Sequence, residues 1–497
     1  MNRALRRISI AVLVMFVLLL VNINYLQGFE PSSLATKPGN SRAFYASQNE
    51  YERGSIYTSD GVTIAASRLS SNSSDSIKYQ RYYPHGQEYA PVTGYDTLYS
   101  ETGLEYYENS VLNGSDPSLT VRNFIDLLTG KPRKGASVTT TINSKAQNAA
   151  WNALESDTNG KPGAVVALNP QTGAILAMAS YPSYDPNKLA THNGNQLNAN
   201  DKALLNAAGN PLLNRAINFT WPPGSTFKIV TSSAYLTKNP GKNNQTNVYS
   251  PTQLTLPQTT HVLTNNDGEV CGNGSGQVPL ITAFAQSCDT TFGSLGEKLT
   301  GPTLNDFAGL FGMNSKKLTI PMPVTQSNYV IPPSQALTAF SAIGQYSDTV
   351  TPLQEAMFAA TIANGGKLMT PYLVQQVTAS DLSTVDKTTP AQLSQPVSSS
   401  VASQLGQMML AVVQQPDGTA AAFNTAAVGF TMAGKTGTAQ NGANNTGLDD
   451  AVFTAYAPYD NPQIAVGVII QGGGYGATAA APIAVQVIKA YLASLRK

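Results

Sequence analysis

Apolar residues run almost unbroken from Ile8 to Leu26, interrupted only by Ser9, Asn22 and Asn24. A helix of those positions reaches about 28 Å, the thickness of a bilayer's hydrocarbon core. Arg3, Arg6 and Arg7 precede the run and no acidic residue occurs before Glu30. The basic flank predicts a cytoplasmic tail over 1–7 and a transmembrane anchor over 8–26. Asn22 to Glu30 reads NINYLQGFE, with no small-x-small cleavage pair, which favours an uncleaved anchor over a removed signal peptide. Everything beyond about residue 27 is then expected outside the cytoplasm. Residues 27–50 are polar and aperiodic and read as a tether.

From 51 to 145, Tyr-rich segments such as Ile56-Tyr57 and Tyr82-Tyr83 alternate with turn signals at Asp60-Gly61, Pro84-His85-Gly86 and Asn113-Gly114. That punctuation predicts an irregular, mainly β module. Helical spacing over Asn143–Leu154 marks entry into a second domain, 146–497. Two apolar runs, Ala164–Leu168 and Ala174–Met178, flank Asn169-Pro170-Gln171-Thr172-Gly173 and predict a hairpin. Near the other end, Phe453–Ala457 and Ile464–Ile470 read as strands and Pro482–Leu495 as a closing helix. Strands from both ends must share one sheet, so the domain is α+β, a central, largely antiparallel sheet covered by helices. Helices are predicted over Ser225–Thr237, Leu280–Lys298, Ser334–Ala342 and Pro352–Asn364. The Asn-rich 189–210 and the Ser/Thr-rich 378–400 read as exposed loops.

Composition removes several function classes. Thirty Lys and Arg against 29 Asp and Glu in 497 residues leave no basic surplus for nucleic acid. His85, His192 and His261 are scattered and the two cysteines form no Cys-x-x-Cys pair, which argues against metal catalysis. Outside the cytoplasm Cys271 and Cys288 could pair; two buried free thiols are the alternative.

The chemistry concentrates in three segments. Trp221-Pro222-Pro223-Gly224-Ser225-Thr226-Phe227-Lys228 puts Ser225 in the first turn of a helix, with Lys228 one turn on along the same face. A desolvated lysine can serve as the base a serine nucleophile needs, and the helix N-terminus favours the developing anion. Taken alone the spacing is weak; it recurs at Ser494 and Lys497. Gly434-Lys435-Thr436-Gly437-Thr438 holds the only Lys-Thr-Gly of the chain and reads as a strand open to close backbone approach, its lysine able to attract a carboxylate and to depress the pKa of Lys228. Between them stands Ser287-Cys288-Asp289, 62 residues after Ser225 and 148 before Lys435.

In that order, Ser-x-x-Lys, a Ser-x-Asn variant and Lys-Thr-Gly resemble the signature of penicillin-binding proteins and serine β-lactamases. Arg53-Gly54-Ser55-Ile56-Tyr57, Arg81-Tyr82-Tyr83-Pro84, Gly103-Leu104-Glu105, Asn214-Arg215-Ala216 and Tyr456-Ala457-Pro458 narrow the likeness to class B, monofunctional penicillin-binding proteins. The aspartate in the middle motif resembles their actinobacterial A-type branch.

The resemblance implies a penicillin-binding transpeptidase domain behind a non-catalytic dimerisation or pedestal module. It implies a peptidoglycan DD-transpeptidase without cofactor or metal, inhibited covalently by β-lactams. Ser225 would attack the penultimate D-alanine carbonyl, Lys228 act as base, and Ser287 relay a proton to the leaving amine. The backbone N–H groups of Ser225 and Thr438 would form the oxyanion hole, and Lys435, Thr436, Gly437 and Thr438 would hold the substrate carboxylate. Implied partners are stem peptides, lipid-linked precursor strands, β-lactams, the inner membrane through one helix, and a membrane glycosyltransferase or other elongation or division proteins. Asp289 departs from the usual Asn: an ionised carboxylate only accepts hydrogen bonds and opposes deprotonation of Lys228. A DD-carboxypeptidase and a catalytically silent scaffold remain the competing readings.

Overall fold

The computed structural model describes residues 3–28, 51–70, 77–120, 128–130, 134–440 and 447–496. Arg3–Gly28 forms one helix of 26 residues. The apolar side chains of residues 10–25, among them Leu13, Phe16 and Leu20, are exposed rather than packed on the rest of the protein. From residue 29 the expected tether lies outside the described residues.

Two sheets organise the chain beyond residue 50. The first has six strands in the order Thr384–Lys387, Val374–Thr378, Ser137–Thr140, Ile56–Tyr57, Thr63–Leu69, Tyr79–Tyr82. It is mixed, because Ile56–Tyr57 runs parallel to Ser137–Thr140. Two of its strands come from beyond residue 370, so the sheet of the N-terminal module is not confined to 51–145. That module also carries short helices at Ala90–Thr93, Gly103–Tyr107 and Asn109–Leu112 and is less purely β than its tyrosine pattern suggests. On the second of these helices Glu105, fully buried, accepts from Arg53 Nε and Arg81 Nε at 2.6 Å each.

The second sheet is antiparallel throughout, in the order Ala433–Ala439, Asp450–Ala457, Ile464–Ile470, Gly163–Leu168, Ile175–Tyr181. The predicted hairpin forms as expected: Asn169 Oδ1 accepts from the N–H groups of Gln171 and Thr172, and Gly173 supplies φ +81°. Every residue of the three central strands is buried, which requires cover on both faces. Ser144–Asp157 and Ala481–Ser494 pack on each other and on the sheet, and Pro352–Ala363 packs on the three central strands. Gly467 allows that last approach: a Cβ there would stand 2.5 Å from Ala356 N.

The stretch Gly476–Ser494 is 19 residues long and apolar enough by composition to cross a bilayer, whereas Ser9–Tyr25 counts 17. Ile483, Ala484, Val487 and Ile488 are fully buried, which identifies the C-terminal stretch as core.

Several expected elements differ. Residues 189–210 contain the helix Gly194–Leu205, started by Asn193, whose side chain accepts from Asn195 N and Gln196 N; only Leu197 of it is buried, so no apolar stripe announced it. Residues 378–400 contain the strands Thr384–Lys387 and Gln392–Ser394, both polar edge elements. Leu280–Lys298 is two helices, Leu280–Ala285 and Asp289–Leu299, each buried enough that the apolar pattern ran on across the break.

Candidate active site

Ser225 sits in a 3-10 turn, Gly224–Phe227, that leads into the helix Lys228–Lys238. Gly224 takes φ +55°, and a Cβ on it would stand 2.9 Å from Thr438 O; one on Gly437 would stand 2.8 Å from Pro223 O. The serine turn and the Lys-Thr-Gly strand therefore meet backbone to backbone, as only glycines allow. That strand is the edge of the five-stranded sheet. Ser225 and Thr438 are partly exposed, while Thr226, Phe227 and Lys228 are buried.

Lys228 directs its amine at the middle motif. Nζ lies 2.8 Å from Ser287 O, 3.1 Å from Ser287 Oγ and 2.6 Å from Asp289 Oδ1. Burial holds its pKa below the ordinary lysine value, although the Asp289 charge and hydrogen bond pull the other way. Desolvation wins because the side chain is fully enclosed. The opposing influence expected from Asp289 is real but smaller.

Lys435, also fully buried, donates to Ser287 Oγ at 2.9 Å and to Thr436 O at 3.0 Å. Burial first and the Lys228 charge second depress its pKa well below normal, partly offset by Asp289. The repulsion between the two amines is mutual, so neither is readily an ammonium while the other is charged. Each amine also faces an aromatic ring, Lys228 over Phe292 at 5.4 Å and Lys435 over Phe284 at 5.6 Å.

Ser287 links the two lysines. It occupies the helix break with φ +60°, a left-handed conformation that a non-glycine residue adopts at a cost. Its hydroxyl has one proton and lies between two nitrogens. If both were ammonium groups, that proton would have no acceptor in the pair; with one amine neutral, the three groups form a proton wire. Cys288 is disulfide-bonded to Cys271 with Cα atoms 5.9 Å apart, fixing the residue between Ser287 and Asp289.

Two groups near the site carry no motif and were missed by sequence reasoning. Thr419 places its hydroxyl 2.7 Å from Thr436 Oγ1, and its N–H donates to Ala285 O, tying the middle motif to the edge strand. Glu355, on Pro352–Ala363, places Oε1 2.8 Å from Thr226 Oγ1. An acid inside an otherwise apolar helix was the available signal for Glu355; Asp417-Gly418-Thr419 reads as an ordinary turn.

Comparison with known proteins places this geometry in a family. Residues 163–489 match the penicillin binding protein transpeptidase domain and residues 53–138 the penicillin binding protein A dimerisation domain. The peptidoglycan D,D-transpeptidase PbpA of Mycolicibacterium smegmatis is 42% identical over 99% of both chains, and its Mycobacterium tuberculosis counterpart 39% identical over the same share. The structure of penicillin-binding protein A from M. tuberculosis as a ceftriaxone acyl-enzyme complex superposes with a TM-score of 0.84 at 37% identity, covering 90% of this chain and 100% of that one. Its penicillin G acyl-enzyme complex gives 0.83 at 38% identity, covering 89% and 100%. Because the likeness runs through both domains in the same order and over nearly the full length, the chain belongs to the class B penicillin-binding proteins, in the actinobacterial branch of PbpA-like D,D-transpeptidases.

Proposed function

We propose that the protein crosslinks peptidoglycan stem peptides through an acyl-serine intermediate on Ser225 and that β-lactams acylate the same residue. The observation that carries the assignment of roles is the Ser287 hydroxyl between two buried lysine amines, at 3.1 Å and 2.9 Å, beside the turn that presents Ser225. In this reading the neutral Lys228 amine takes the Ser225 proton as Oγ bonds to the penultimate D-alanine carbonyl carbon. The oxyanion is held by the N–H groups of Ser225 and Thr438, an arrangement worth several kcal/mol in comparable sites. The C–N bond then breaks, the leaving D-alanine amine receives the proton from Lys228 through Ser287, and the ester remains. Attack by the amine of a second stem peptide forms the crosslink and returns a proton to Ser225. With a β-lactam the same C–N cleavage opens the ring, whose nitrogen stays tethered. Thr436, Thr438 and Lys435 would hold the donor carboxylate.

The Arg3–Gly28 helix anchors the protein in the inner membrane with its N-terminus in the cytoplasm; Arg6 and Arg7 at one end and the exposed apolar surface of the remaining turns support this. The disulfide fits an oxidising compartment. Such placement presents the transpeptidase domain to lipid-linked precursor strands, and leaves the N-terminal module to engage a membrane glycosyltransferase or other elongation or division proteins.

Intact mass of the detergent-solubilised full chain after benzylpenicillin, beside Ser225→Ala, tests the assignment. The expected result is one adduct on the wild type and none on the variant. A folded wild type without an adduct would return the protein to the scaffold reading. Incubation with donor and acceptor stem peptides then distinguishes a crosslinked product from the hydrolysed product of a carboxypeptidase.

A further inference from the structure

Glu355 lies behind the serine turn, fully buried, and none of the residues assigned to the reaction accounts for it. Its helix is pressed on the sheet at Gly467, where a Cβ would meet Glu355 Cβ at 2.7 Å, and Thr454 Oγ1 donates to the Glu355 backbone carbonyl at 2.6 Å. The side chain is therefore fixed at its base. Its tip meets Thr226, the residue after Ser225: Thr226 Oγ1 is 2.8 Å from Glu355 Oε1 and 2.8 Å from Pro223 O.

A hydrogen count leaves two arrangements of these bonds. Pro223 O can only accept, and the Thr226 hydroxyl has one proton. If that proton goes to Pro223 O, Glu355 Oε1 must be the donor and the acid neutral; if it goes to Glu355 Oε1, Pro223 O loses that bond, and the surroundings of the carboxyl select between the two. The second oxygen, Oε2, is buried without a hydrogen-bond partner. An unpartnered carbonyl oxygen is tolerable there, whereas half of an unpaired buried carboxylate would be far costlier.

The elements packed most closely on this helix bring no cation to neutralise it. Ile464–Ile470, Gly163–Leu168, Ser399–Gln414 and the serine turn Gly224–Phe227 carry no charged residue. On Asp450–Ala457 the titratable groups are Asp450, which accepts from Gly472 N, and Tyr456. Arg215, on Arg215–Asn218, spends its guanidinium on the carbonyls of Gly209, Asn210 and Leu213. Burial moves the Glu355 pKa up to about 8, in accord with the unpartnered Oε2 and the absence of a nearby cation among the described residues.

We infer that Glu355 is a positioning residue, a carboxylic acid that donates to Thr226 and, through Thr226 and Pro223, braces the turn that aims Ser225. This inference rests on the assignment of Ser225 as the nucleophile. It predicts that Glu355→Gln, which keeps a neutral donor, preserves acylation, and that Glu355→Leu, which removes it, slows the acylation step without weakening the preceding non-covalent encounter.

Stopped-flow acylation of the full chain by nitrocefin, analysed for binding and acylation separately, reads this out. The expected result is Glu355→Gln within about threefold of wild type and Glu355→Leu slower by about ten- to a hundredfold, the scale of a slightly misplaced reacting group. Wild type should also lose acylation rate as Glu355 ionises above about pH 8, and Glu355→Gln should not. Infrared difference spectra of wild type against Glu355→Gln supply a readout independent of acylation, the carbonyl band of a protonated carboxylic acid at neutral pH. Equal rates for Leu and Gln, or no protonated-acid band, overturn the inference. Absence of any Ser225 adduct on wild type while the acid band persists overturns the nucleophile assignment instead.

Discussion

Lys228 carries a conflict between two influences of opposite sign. Burial favours its neutral amine, and Asp289, 2.6 Å away, favours the ammonium. Replacing the carboxylate with an amide leaves the burial and deletes the attraction, so the amine becomes neutral at lower pH. For Asp289→Asn the acid limb of the acylation rate is therefore expected to move down by about one pH unit or more, the usual effect of a close opposite charge. Rate constants for benzylpenicillin from pH 5 to 9 check this; a limb that stays put or moves up would mean that Lys228 is not the titrating base. Ser225, Lys228, Ser287, Asp289 and Lys435 were legible because three motifs occur in a fixed order. Glu355 was not, because its role depends on a contact with Thr226 across 129 residues of sequence, and a lone acid in an apolar helix announces no partner.

Among the elements, the break at Ser287 was invisible because helix prediction follows apolar spacing, and Phe284 and Phe292 keep that spacing on either side of it. What ends the first helix is one residue at φ +60°, a choice made by the tertiary setting that aims a hydroxyl between two amines. Conformational cost and chemical use can be separated by mutation. Ser287→Gly removes the hydroxyl but suits the left-handed backbone; Ser287→Ala removes the hydroxyl and keeps the strain. Both variants should lose most of the acylation rate, while Ser287→Gly should be the more stable by about 1 kcal/mol. Thermal unfolding of the pair measures it, and equal stabilities would show that the turn carries no backbone strain. The hairpin at Asn169–Gly173 is the opposite case, where turn residues with local reasons for their conformation made the element readable in advance.

At the scale of the whole molecule, the central sheet was legible because both ends of the second domain supply apolar strands that need burial. The joint between the two domains was not, since it depends on Val374–Thr378, a strand with glutamines at its centre for which the sequence pattern predicts no element. This strand pairs antiparallel with Ser137–Thr140, and just beyond the pairing Thr141 N donates to Leu373 O at 2.8 Å while Thr141 Oγ1 donates to Ile175 O at 2.7 Å. One short segment thus connects the module, the inserted strand and the transpeptidase sheet. Cutting the chain at the apparent boundary near 145 would strip Val374–Thr378 of that partner and leave an open row of backbone donors and acceptors at a sheet edge, the usual template for aggregation. Residues 146–497 expressed alone are therefore expected to be less stable and prone to aggregate, whereas a chain beginning at 51 keeps the pairing. Size-exclusion chromatography and thermal unfolding of the two chains decide it: a soluble, monomeric 146–497 with an undiminished melting temperature would mean that the inserted strand holds its place without the module. The expected contrast has a functional corollary. Because the same sheet that steadies the module continues through Thr141 to Ile175 on the far edge of the catalytic sheet, the module is a built-in support of the transpeptidase domain.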